Sequence, residues 1–232
     1  MVCARRLAAI VAVWAVTASP LLAHGVAAGD KGFIQQSSGV LLAPFMYLGA
    51  KHMVTGYDHL LFLLGVIFFL YRLRDVALYV TLFAVGHSVT LLAGVLLQVS
   101  VNPFLIDAVI GLSVVYKALD NLGAFQAWFG VTPDPRAATL LFGLCHGLGL
   151  ATKMLDFEMA EDGLLPNLVA FNVGVEIGQV LALGAILLVM THWRRTRSFR
   201  PMAYRTNVAI MTAGFVLTGF QLAGYFIARQ GT

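Results

Sequence analysis

Charge is rare along this chain and clustered where it occurs, leaving long apolar stretches of a length that matters: between Tyr57 and Tyr71 the sequence reads YDHLLFLLGVIFFLY. About 20 apolar residues cross a hydrocarbon core of ~30 Å, and a backbone inside lipid must satisfy its own hydrogen bonds, which a helix does. Reading each stretch between charged or proline-bearing turns predicts spans at about 52–71, 76–98, 104–123, 137–155, 165–191 and 207–228. The expected fold is therefore an all-α integral membrane protein, a bundle of about six transmembrane helices filling residues 41–232. Composition agrees, since 11% of residues are charged against about 25% in a soluble domain. An ordinary water-soluble fold is excluded. Nucleic acid is not an expected partner, because the basic residues do not line a groove with aromatic ones; the expected partner is the lipid bilayer.

The N-terminus carries Arg5 and Arg6, an apolar run from Leu7 to Val16, and then the small-residue sequence ending at Ala23. That order is the signature of a signal peptide over residues 1–23, with a second suitable cut after Ala28. Cleavage after Ala23 would make His24 the mature N-terminus, a chelating amine and ring, ahead of a polar lead-in over 24–40 on the periplasmic side. Leu41 to Ala50 is apolar but holds Pro44 and Gly49, which suits either a helix start or a half-inserted segment. The arginine-bearing loops at 72–75, 125–136 and 192–206 alternate with the acidic loop after Asp156. By the positive-inside rule, this sets both mature ends outside the cytoplasm. With Cys3 in the cleaved segment, Cys145 reads as a packing residue and not half of a disulfide. No repeat of 20 to 50 residues is evident.

Polar groups fall where lipid should be. An ionisable group at the centre of a spanning helix costs at least ~2.5–3.5 kcal/mol, so such groups are paired or functional. His52 and His59 are seven apart, about two helical turns, and share a face if the helix is continuous; Asp58 can orient a ring or add an oxygen. His87, His146 and Glu176 lie near the middle of three further spans, so four helices can aim nitrogen or oxygen at one point. Imidazole and carboxylate together suit divalent nickel, cobalt, zinc or copper. Ser88, Thr90, Asn172 and Gln179 are supporting polar residues. For any one histidine, a helix-packing hydrogen bond is the simpler account; for the set with an acidic partner, a metal or proton site is the better one. Lys117 and Asp120 are read as a salt bridge on one helix face. The glycines around these positions read as close helix packing, with a locally unwound helix the alternative at Gly147 and Gly149. Trp128, Trp193, Tyr204 and Tyr225 read as interfacial anchors.

Four blocks in order resemble the HupE/UreJ family of bacterial membrane proteins. They are His52-Met-Val-Thr-Gly-Tyr-Asp58-His59, Leu82-Phe-Ala-Val-Gly-His87-Ser88-Val-Thr90-Leu, Phe142-Gly-Leu-Cys-His146-Gly147-Leu-Gly-Leu, and Phe171-Asn172-Val-Gly-Val-Glu176-Ile-Gly-Gln179. The family often has proline after the first histidine, where this chain has Met53. The resemblance implies a nickel or related transition-metal permease of the bacterial inner membrane, with metalloenzyme maturation proteins as partners. An intramembrane zinc-dependent hydrolase, with Ser88 assisting, is the alternative from a different class; a haem protein with axial histidines is a third. No phosphate-binding Gly-x-x-x-x-Gly-Lys-Ser/Thr loop is present, so the chain shows no ATP motor.

Overall fold

A computed structural model describes Ile34 and residues 38–156 and 162–230, whose regular elements are all helices, with no strand among them. The expected signal peptide and nearly all of the lead-in lie outside the described residues. In chain order the helices are α1 (Leu42–Thr55), α2 (Tyr57–Ile67), α3 (Leu73–Leu96), α4 (Pro103–Asn121), α5 (Ala124–Phe129), α6 (Pro135–Leu155), α7 (Leu164–Arg194) and α8 (Phe199–Gln230). Four of them, α3, α6, α7 and α8, are long and apolar enough to cross a membrane. The chain is a multi-pass membrane protein.

Local chemistry explains the boundaries. Asn102 caps α4, accepting from the backbone of Phe104 and Leu105, and Asp134 caps α6, accepting from Arg136. A proline follows each cap at the first helical position, where its missing N–H leaves no bond unmade. The span expected at 52–71 is not one helix. Gly56 has ψ 100° and ends α1, although its N–H still closes the last turn on the His52 carbonyl and its own carbonyl opens α2 by accepting from Leu60. One extended residue therefore separates two helices of 14 and 11 residues, each shorter than a span needs. α4 has 19 residues and carries Asp107, Lys117 and Asp120. α6 runs unbroken through Gly147 and Gly149, so no unwound helix occurs there.

The long helices are packed in pairs. Asn167, in the first turn of α7, accepts from the Leu41 N–H and donates to the Gly39 carbonyl, at sequence separations of 126 and 128. At the far end of α7, Arg194 donates to the carbonyls of Ile67, Phe68 and Leu70 at separations of 127, 126 and 124. Near-constant separation means that α1 and α2 together run parallel to α7, in register across the Gly56 break. α3 and α6 are parallel too, because Phe83 meets Gly143, His87 meets Gly147 and Gly94 meets Ala151. α4 and α8 are antiparallel: Phe104 meets Gly224, Gly111 meets Gly214, and Asn121 donates to Asn207 at 2.9 Å.

Lipid is as apolar as leucine, so helix association here depends on close backbone approach and interhelical hydrogen bonds. A Cβ on Gly49 or on Gly174 would lie 1.9 Å from a carbonyl oxygen of the facing helix. Gly86, Gly94, Gly143, Gly147, Gly174 and Gly178 each face a neighbouring helix closely, as packing residues do.

Candidate metal centre

The break at Gly56 positions the site. It restarts the chain as α2 inside the bundle, so that Asp58 and His59 stand in a first helical turn walled by other helices, both buried. The Asp58 Oδ1 accepts from the His59 backbone N–H at 2.9 Å and lies 3.1 Å from His59 Nδ1. That contact holds the ring's orientation and directs Nε2 away from the carboxylate.

Around His59 stand three more histidines from three other helices: His52 in the last turn of α1, His87 in α3 and His146 in α6, all buried. Their ring centroids lie 5.2, 5.8 and 4.8 Å from that of His59. Ligand-capable atoms of His52, His59 and His87 fall within 4.8 Å of one another, and so do those of Asp58, His59 and His146. Metal–nitrogen bonds of ~2.0–2.1 Å place ligands roughly 3–4 Å apart, so modest side-chain rotation closes either set on an ion. Phe83 and Phe62 pack on His146 at 5.1 and 5.6 Å, and Phe171 faces His52 at 6.1 Å. The surroundings are apolar and the ligands hard to borderline, a set suited to first-row divalent ions.

The other residues singled out in the sequence have different positions. Glu176 is exposed on α7 and is in neither ligand set. Asn172 is buried on the same helix, with no hydrogen-bond partner for its Oδ1 among the described residues. Thr90 donates to the Leu144 carbonyl at 2.7 Å and Gln179 to the Val80 carbonyl at 3.2 Å, both as helix-to-helix bonds. Ser88 is half-buried beside His87. Lys117 and Asp120 are paired as the spacing predicts. The Trp193 ring packs on Phe199 and Phe68 at 5.0 and 5.9 Å.

Three polar contacts were not anticipated. Ser113 of α4 lies 3.3 Å from His146 Nε2 while its hydroxyl donates to the Ile110 carbonyl at 2.6 Å, so it is an acceptor for the ring. Lys153 pairs with Asp107 at 2.6 Å. Arg194 donates to the carbonyls of Ile67, at the end of α2, and of Phe68 and Leu70 just after it, and lies 4.8 Å over the Tyr71 ring. A serine in an apolar helix and an arginine closing one were signals present in the sequence; their partners were not.

No curated protein and no solved structure matches the chain. The family profile described as HupE / UreJ protein matches residues 28–229, which takes in α1 to α7, all of α8 but its last residue, and every histidine of the cluster. The chain therefore belongs to the HupE/UreJ family.

Proposed function

We propose that this protein is a permease for a first-row divalent metal ion, nickel being favoured, in the inner membrane of a bacterium. The observation that carries this reading is the cluster itself: four histidines and an aspartate from four helices, buried together where a mere anchor needs none. Such groups in a membrane interior mark an ion path, and several separable ligands allow an ion to leave as well as to bind. Membership of a family associated with nickel or other metal transport or maturation points the same way.

The proposal includes six traverses, counting α1 and α2 as one broken span and then α3, α4, α6, α7 and α8. If traverses alternate in direction, the first and fifth must run parallel, the second and fourth parallel, and the third and sixth antiparallel. The three packed pairs have those directions. A signal peptide over 1–23 and the arginine loops fit periplasmic mature termini. In this reading the ligands exchange for one another around a divalent ion without redox change. The apolar wall of Phe62, Phe83 and Phe171 keeps water from competing.

Uptake of radiolabelled nickel, cobalt, zinc and copper into proteoliposomes tests it. Wild type should accumulate one of these ions, and His59→Ala should fall to the level of empty vesicles. Tightly retained zinc without flux in wild type would sink the permease and return the zinc-hydrolase reading.

A further inference from the structure

The helix pair α1 and α7 and the helix pair α6 and α3 are two copies of one arrangement. α1 carries Gly49-Ala-Lys-His52 and packs on Phe171-Asn-Val-Gly174; α6 carries Gly143-Leu-Cys-His146 and packs on Phe83-Ala-Val-Gly86. A Cβ on Gly49 would lie 1.9 Å from the Phe171 carbonyl oxygen, and one on Gly143 would lie 2.4 Å from that of Phe83. In return, Gly174 faces the Met46 carbonyl and Gly86 that of Leu140, each three residues before the facing glycine. The matching reaches the site, since His52 stands against Phe171 at 6.1 Å and His146 against Phe83 at 5.1 Å.

The remaining pair fits the same relation. Gly111 of α4 is near the Gly214 carbonyl, and Gly214 of α8 is near that of Gly111. Such a reciprocal contact is what a two-fold operation places on its own axis. With three traverses in each unit the copies are inverted in the membrane, an architecture that puts ion sites at the junction of the repeats near the midplane. His52 and His146 are then mates on opposite sides of that axis. His59 lies between them.

We propose that the cluster is two overlapping positions for one divalent ion, His52–His59–His87 on one side of the axis and Asp58–His59–His146 on the other, with His59 common to both. The proposal rests on the transition-metal reading of the cluster. The five residues do not make one mutually close set among those described; they make two trios that meet at His59. Its Nδ1 faces Asp58, and a neutral imidazole has one nitrogen lone pair to offer, at Nδ1 or at Nε2, so the ring serves one trio at a time. The trios cannot be filled together, because each needs that imidazole. Moving from three neutral imidazoles to two and a carboxylate exchanges ligands and leaves the ion's charge and oxidation state unchanged.

The test uses the full chain in detergent, titrated with cobalt(II) and followed by visible absorption and low-temperature EPR. Wild type should bind one cobalt per chain yet give two high-spin signals that together integrate to that one ion. His146→Gln should remove one signal, His52→Gln the other, and His59→Gln should weaken binding at least about tenfold. Two ions bound at once, a single wild-type signal, or identical spectra in the His52 and His146 variants would overturn the proposal. The wild-type spectrum decides even if a variant does not fold. One signal in a protein that transports metal leaves the permease standing and removes the two positions; two signals without flux do the reverse.

Discussion

The pairs α1/α7 and α3/α6 share a packing scheme and differ in one respect: α6 is continuous past its histidine, whereas α1 stops three residues after its own. Counting along the matched segments, the position that holds His59 in the broken copy holds Lys153 in the continuous one. Lys153 reaches Asp107 on α4 and makes an ion pair, while His59 sits among three other imidazoles. A single extended residue at Gly56 accompanies the difference between a tethered cation and a ring held among other imidazoles. Packing and chemistry are separable in this fold, because the glycine contacts hold each pair together and the helix break decides what the pair presents to the centre.

The most severe way to break that comparison is to attack the shared part. Gly49→Leu and Gly143→Leu each force a side chain into a backbone carbonyl. Each should cost more than about 3 kcal/mol, read as loss of folded monomer in detergent by size-exclusion chromatography and thermal melting. If Gly143→Leu folds and Gly49→Leu does not, the pairs are not equivalent. Next in size is the part peculiar to α6. Lys153→Met removes one partner of a largely buried pair and should destabilise by about 3 kcal/mol, with Lys153→Met/Asp107→Leu recovering most of the loss in the same melt. A smaller effect is expected at the break. Gly56 has φ −73°, open to any residue, but a Cβ there would lie 2.7 Å from His59 Nδ1. Gly56→Ala should therefore displace the ring from Asp58 and weaken cobalt(II) binding about tenfold, with the melting temperature little changed. Unchanged affinity would mean that the break does not set the ligand geometry.

Much of this was legible beforehand, for definite reasons. Apolar runs bounded by charge mark helices because lipid permits few other structures, so element type and order could be read directly. Histidines inside such runs are conspicuous. The break at Gly56 was not readable, since glycine inside a helical pattern is tolerated and nothing adjacent demanded an extended residue. Glu176 shows another limit. α7 is apolar on nearly every side, and a helix without a polar face has a readable depth but no readable rotation; Asn172 and Gln179 turn inward, whereas Glu176 turns out. The repeat escaped notice because its identities are a glycine and histidine in one helix and a phenylalanine, valine and glycine in another. Its copies pair across the chain and not along it. Ser113 was hidden in the same way, a small hydroxyl whose meaning comes from a ring on another helix.

The parallel pairing of α1 and α2 with α7 also bears on how the protein is made. Their contacts join residues about 124–128 apart in sequence, so α1 and α2 leave the ribosome well before their partner and have to wait for it. At synthesis rates of ~5–20 residues per second, that delay is roughly 6–25 s. Throughout it, His52 and the Gly49 face of α1 lack the helix that will pack on them. Biogenesis therefore has a vulnerable interval at its start, during which the nascent segment depends on the insertion machinery for shelter, and a lesion in α7 would be felt first as degradation of an N-terminal half that is itself intact.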